Sequence, residues 1–174
     1  MKLLFGIFIF QCVIIFSCVA QKSYVDWGVG AAAIYNFQTE SYGADLNVHI
    51  PMKYRISLVP EVSYFFPFNP IHELYAGISI NYEFMKFKNY NPYISVGAFY
   101  NDWFNSEEYA AGLKKKNNFA PEAGIGIIRN HGCLRPFIQH RYDVKWKEGN
   151  LRVGIVYFFN SCRHINKDNC PAYQ

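Results

Sequence analysis

The chain distributes charged side chains through segments that are otherwise apolar. Asp26, Asp45, Arg55, Glu61, Glu83, Glu122, Arg141, Asp143 and Arg152 recur at one parity of alternating runs, and Glu73, Lys145 and His49 share it. Acids and bases mixed in this way can relay a proton, gate a pore, or hold one another in place. An isolated buried charge is prohibitively costly, so an interior enclosing these groups must pair them. Cys133, Cys162 and Cys170 add thiol chemistry, which an oxidising compartment turns into a disulfide. His131 and His164 lie beside them, but the spacing matches no zinc signature, so neither a metal nor another cofactor is expected. Lys114, Lys115 and Lys116 form a compact cationic run of the kind that anionic head groups attract.

The elements that must position these groups are strands. In Leu74–Phe84, Leu74, Ala76, Ile78, Ile80, Tyr82 and Phe84 point one way, while Tyr75, Gly77, Ser79, Asn81 and Glu83 point the other. Such a run has about the length a tilted strand needs to cross a bilayer. The same alternation predicts eight strands: 24–37, 41–50, 54–66, 73–87, 92–103, 119–129, 135–147 and 150–160. Short connections fall at 51–53, 88–91 and 130–133, a medium one near 68–72, and the longest and most polar at 105–118. A tight turn is expected at Glu148-Gly149.

Residues 1–20 read as a signal peptide rather than as part of the fold. Lys2 precedes an apolar stretch from Leu3 to Phe16, and Ser17-Cys18-Val19-Ala20 leads to Gln21. Cys18 offers the rival reading of a lipoprotein cysteine, but Phe16 stands where such sites prefer a small residue. The remainder divides into a barrel over 21–160 and a cysteine-containing tail over 161–174. The chain is 51% hydrophobic and 19% aromatic, yet beyond the leader no segment is apolar for the length of a membrane helix. Net charge is +4, or +3 without Lys2, too mild to argue for a nucleic-acid partner.

A soluble, lipocalin-like barrel would show the same alternation with its faces exchanged. Three features favour a lipid-facing exterior. Gly28, Gly30, Gly43, Gly77, Gly97, Gly124, Gly126 and Gly154 fall on the polar face, which suits a narrow lumen filled by side chains. Acids and bases are nearly balanced on that face. Aromatic residues on the apolar face gather toward strand ends, with Tyr35, Phe37, Tyr64, Phe66, Tyr100 and Trp146 toward one end. Trp27, Tyr82, Phe84, Tyr157 and Phe159 lie toward the other, giving two girdles around an aliphatic band. The predicted fold is therefore all-β: an eight-stranded, antiparallel, up-and-down transmembrane barrel with a filled polar lumen. Eight strands leave room for side chains but hardly for a channel, which favours a salt-bridge plug over a proton path.

From Tyr24 to Asn160 the chain resembles the small eight-stranded outer-membrane barrels of the OmpA/OmpX type. Its last run, Leu151-Arg152-Val153-Gly154-Ile155-Val156-Tyr157-Phe158-Phe159, is similar to the terminal strand signal read by the barrel-assembly machinery. The resemblance implies the outer membrane of a Gram-negative bacterium, with both termini periplasmic and the 105–118 loop outside. It departs from the family at the tail, since many members stop at that final phenylalanine. A weaker similarity runs to the lipid A deacylases through His140 and Glu148, but the position of their serine holds Tyr142. Tyrosine does not replace a serine nucleophile under a histidine base.

With a turn at Glu148-Gly149, Cys133 and Cys162 fall nearly opposite each other, which makes them the leading bridge. Cys162–Cys170 and Cys133–Cys170 stay open as alternatives. The expected role is structural or interactive and non-enzymatic, with a lipid A-modifying enzyme and a small ligand-binding barrel as alternatives. The expected partners are membrane lipid and lipopolysaccharide, together with an outer-membrane or periplasmic protein met through loop 105–118 or tail 161–174.

Overall fold

A computed structural model describes residues 26–53, 55–66, 72–104 and 118–159. They form β1 (Gly28–Asn36), β2 (Ser41–Lys53), β3 (Ile56–Phe65), β4 (His72–Glu83), β5 (Tyr90–Phe104), β6 (Phe119–Arg129), β7 (Leu134–Asp143) and β8 (Glu148–Phe158). Each strand pairs antiparallel with its chain neighbours, and β1 pairs with β8 from Gly28↔Phe158 to Asn36↔Asn150. The sheet is therefore a closed barrel. Two further backbone bonds seal its seam, Phe37 N to Gly149 O at 3.0 Å and Phe159 N to Trp27 O at 3.1 Å. Closure leaves no edge strand, the condition for crossing a medium that cannot solvate the backbone.

Burial follows parity. In β1, Gly28, Gly30, Ala32, Ile34 and Asn36 are buried while Val29, Ala31 and Ala33 are exposed. The outside carries large apolar side chains at high exposure, such as Leu46 at 66% and Val96 at 61%. The inside holds Glu61 at 4% and Arg152 at 3%. This inverts the arrangement of a water-soluble barrel.

The β7–β8 connection differs from the expected one. Asp143 pairs with Glu148, and Val144-Lys145-Trp146-Lys147 makes the turn, so Glu148 and Gly149 already belong to β8. Asp143 Oδ1 accepts the backbone N–H of Lys145 at 2.7 Å and of Trp146 at 2.9 Å, and Lys147 closes the turn at φ 58°. The β1–β2 turn repeats this design. Asn36 Oδ1 accepts from Gln38 N at 2.9 Å and Thr39 N at 3.2 Å, and Glu40 has φ 50°. A short Asx side chain that bonds its own following backbone makes the turn without glycine.

Other boundaries move with their partners. β4 stops at Glu83, the last residue facing β5, so Phe84 to Phe87 lie beyond the strand. β2 runs on past Pro51 to Lys53 through a register shift against β3.

The lumen is filled, but it is not polar throughout. Ile34, Phe65, Tyr75, Phe99 and Ala120 form one apolar cluster toward the end where β1–β2 and β7–β8 connect, here the loop end. Ala32, Tyr93, Ile128, Phe137, Val156 and Phe158 form another toward the opposite, terminal end. Interior glycines face these rings in register: Gly77 opposite Phe99, Gly126 opposite Tyr93 and Gly154 opposite Phe137. A Cβ on Gly77 would stand 2.5 Å from Phe99 Cδ1 and still closer to the Ala98 carbonyl. The ring occupies the space that the glycine leaves, as in aromatic rescue of sheet glycines.

Candidate functional site

Between the two apolar clusters lies a layer of buried charge. β2 supplies Asp45, β3 Glu61, β6 Glu122, β7 Arg141 and β8 Arg152, all inward by parity and all buried. Glu61 is the hub. Both Arg141 guanidinium nitrogens reach its carboxylate, Nη2 at 3.1 Å from Oε2, and Arg152 Nη1 bonds the same Oε2 at 2.6 Å. Arg152 also pairs with Asp45. Glu122 joins more loosely, 3.5 Å from Arg141 Nη1.

Neutral groups complete the layer. Ser63 Oγ donates to Asp45 at 2.9 Å, Asn47 Nδ2 donates to it at 2.6 Å, and Arg141 Nη2 donates to Ser79 Oγ at 3.3 Å. Gly124 faces Arg141 across the β6–β7 pair, which lets the long side chain lie against the wall. Three carboxylates thus share two guanidiniums in a space that removes them from water. Pairing with added hydrogen bonds is the condition under which such charges persist.

Above this layer is a cavity of about 20 Å³, lined in part by Glu122, Arg141, Asn150 and Arg152. Arg141 Nε, Arg152 Nε and Asn150 Oδ1 have no partner among the described residues. A space of that size with several polar groups fits one water molecule, not a ligand.

The other charged positions do not join the layer. Arg55 is exposed at the terminal end, where its Nη1 reaches the Phe84 carbonyl at 3.4 Å. Glu83 lies at the same end and accepts Asn91 Nδ2 at 2.6 Å. Asp26 pairs there with Arg135 at 2.9 Å. Asp143 is buried but serves the β7–β8 turn, and Lys145 is exposed in that turn with its Nζ 4.9 Å from the Trp146 ring centroid. Depth along the barrel separates these residues from the central cluster, although their parity is the same.

On the outer face Tyr35, Tyr42 and Phe37 make ring contacts at the loop end, as do Tyr64 and Phe66. Trp27, Tyr157 and Phe159 do so at the terminal end, and Tyr82 and Tyr100 are exposed. Phe84 is half-buried just past β4. Trp146 is a correction to the girdle. The four-residue turn carries it inward over the loop-end cluster, where it is half-buried against that packing instead of facing outward.

The hydrolase constellation is not assembled. His140 stands on the outer face with Tyr142, whereas Glu148 has the inward parity and accepts Asn36 Nδ2 at 2.7 Å. Cys133 O accepts Phe158 N at 2.8 Å, so Phe158 is its cross-strand neighbour, while the tail cysteines it was expected to meet lie outside the described residues. Cys133 is engaged rather than free. Cys162, Cys170, Lys114, Lys115 and Lys116 lie outside the described residues, as does the leader. Among the described residues no cluster of His, Cys, Asp and Glu is placed to hold a metal ion.

Sequence reasoning missed the aromatic filling of the lumen. Its signal was present in the parity of Phe65, Phe99, Phe137 and Phe158, which fall with the glycines and charges and not with the outward aliphatics.

No family model and no curated protein sequence matches the chain. Solved structures do. A de novo designed transmembrane β-barrel aligns at TM-score 0.55 and 16% identity over 80% of this chain and 98% of its own. A second designed protein, solved by solution NMR, gives 0.54 and 16% over the same shares. The N-terminal β-barrel domain of Pseudomonas aeruginosa OprF gives 0.55 and 11% over 76% of this chain and 96% of that domain. The chain thus has the fold of the small eight-stranded transmembrane barrels.

Proposed function

We propose that the protein is an outer-membrane β-barrel of a Gram-negative bacterium, exported by residues 1–20, with a structural or protein-interaction role and no open channel. One observation carries this reading: the outside is a band of exposed aliphatic and aromatic side chains, while the charges are paired within. Water would penalise that exterior, and lipid favours it. Apolar, largely aromatic clusters on both sides of the charge layer fill the lumen, which supports a closed barrel over a pore. In this orientation the terminal end faces the periplasm and loop 105–118 faces outward, with Lys114, Lys115 and Lys116 set to meet lipopolysaccharide phosphates or an external partner. The tail over 161–174 is tied by oxidation at the periplasmic rim through Cys133, leaving it to meet a periplasmic protein.

The folded protein should fractionate with the outer membrane, resist detergent, and migrate differently on gels before and after boiling. A monomer that stays soluble without detergent would overturn the assignment. Non-reducing peptide mapping should join Cys133 to a tail cysteine, and three free thiols would refute the tether. Against a lipid-modifying enzyme, lipid A from a deletion strain should match its parent by mass spectrometry. An acyl difference restored by the wild type but not by His140→Ala would replace the structural reading.

A further inference from the structure

At the terminal end the barrel opens into a vestibule of about 270 Å³. Its lining includes Arg55, Lys86, Arg129 and Arg135 against two carboxylates, Asp26 and Glu83. Four cations less two anions leave a surplus of two positive charges in one concavity. The two acids are already satisfied, Asp26 by Arg135 and Glu83 by Asn91. Arg135 is committed as well, to Asp26, to the Gly132 carbonyl at 3.2 Å and to the face of Phe158. The surplus therefore resides on Arg55, Lys86 and Arg129, all exposed. Arg55 reaches the Phe84 carbonyl at 3.4 Å and Arg129 reaches His131 at 3.4 Å, both at the limit of a hydrogen bond.

A second observation comes from deeper in the cavity wall. Asn81 lines it at 5% exposure, and its Oδ1 has no donor among the described residues. A buried amide oxygen left in this state is costly unless something entering the cavity donates to it. His49, 8% exposed, is also in the wall, held by ring contacts to Phe137 and Phe158.

We propose that the vestibule binds a small phosphate ester. The rim calls for an anion, and guanidiniums offer forked donors matched to phosphate oxygens. Asn81 Oδ1 calls for a donor on the same ligand. A hydroxyl-bearing phosphate monoester carries both, in its charged oxygens and its adjoining hydroxyls. Sulfate and chloride carry only the charge. The volume is near the lower end of ligand pockets, roughly 300–1,000 Å³, and exceeds the needs of a bare ion. The same chemistry is available from a soluble ester or from a phospholipid head group bearing hydroxyls, folded over the rim. The vestibule carries this binding whichever way the barrel sits in the membrane.

The test uses the full mature chain, folded in octyl glucoside so that the detergent contributes no phosphate. Glycerol 3-phosphate is titrated while NMR follows the Asn81 side-chain amide and the Arg55 and Arg129 guanidinium signals. Saturable shifts of these groups are expected, with sulfate binding at least about tenfold more weakly, the scale of one hydrogen bond to a charged group. Arg129→Gln and Arg55→Gln, both at exposed positions that the fold tolerates, should each weaken binding by about tenfold on the same scale. Asn81→Leu should abolish the preference over sulfate. Mixed micelles with phosphatidylglycerol separate the sources: shifts without added ester assign the group to a lipid, and shifts with the ester alone assign it to a solute. Absence of saturation by either, an equal response to sulfate, or indifference to both arginine variants overturns the proposal.

Discussion

The centre of the lumen and its terminal mouth are built from the same residue types, and Arg55 at the mouth shares the inward parity of the central arginines, yet the two regions behave as opposites. In the centre, Arg141 and Arg152 are almost wholly enclosed and each reaches more than one carboxylate. At the mouth, Arg55 and Arg129 are exposed and touch little. Parity decides which wall a side chain leaves from. Position along the barrel axis decides whether it meets water or a partner, and hence whether its charge holds the fold or remains available to a ligand.

Breaking the central layer should give the largest effect. Arg152→Leu leaves Asp45 and Glu61 buried without a shared cation, and should cost about 3–5 kcal/mol of unfolding free energy. Arg55→Gln at the mouth should stay within about 0.5 kcal/mol. Urea unfolding in lipid vesicles measures both, and equal losses would erase the distinction between the two regions. Adding Asp45→Asn to Arg152→Leu should recover part of the loss, by a coupling of about 0.5–3 kcal/mol.

Glycines give a second contrast. Gly77→Ala drives a Cβ into the Ala98 carbonyl and the Phe99 ring and should cost about 1–3 kcal/mol. At Gly149 the nearest atom to an added Cβ is His140 Nε2 at 3.3 Å, so Gly149→Ala should change stability by no more than about 0.5 kcal/mol.

Trp27 and Trp146, two of the three tryptophans, lie at opposite ends and sharpen the comparison by environment. Trp146→Ala removes half-buried packing over the loop-end cluster and should cost about 1–2 kcal/mol, since only part of the ring leaves water. Trp27, 48% exposed on the outer face, should be quenched strongly by lipid-borne quenchers and Trp146 weakly. Comparable quenching of both would return Trp146 to the girdle.

A modest effect should come from the turn. Asp143→Ala removes the acceptor for two backbone N–H groups, with a cost of about 1 kcal/mol because water can replace part of what is lost. The same change is expected for Asn36→Ala.

That turn also shows where sequence reasoning stops. Glu148-Gly149 looked like the hairpin because glycine is the usual marker of a tight turn. The glycine instead sits within β8, and Lys147 takes the left-handed position in a turn organised by Asp143. An Asx side chain bonding its own backbone leaves almost no compositional mark. The four-residue turn shifts the β7–β8 register by six in the sum of paired residue numbers and sets Phe158 across from Cys133. Register errors of this kind are invisible until both strands are placed.

What the sequence determined by itself was the alternation. A period of two over eight runs, with Leu46, Val62, Ile78 and Val96 on one face and Asp45, Glu61, Ser79 and Arg152 on the other, is enough for strands, two surfaces and a closed barrel. Side chains of a strand have no choice but to alternate, so this information is local. The pairing of Arg152 with Asp45 and Glu61, the rings over Gly77, Gly126 and Gly154, and the uncommitted cations around Asn81 were decided only by the tertiary structure. Those contacts join residues tens of positions apart, and they depend on register and on depth along the axis. Neither quantity exists in a single strand, and both arise only when the barrel closes.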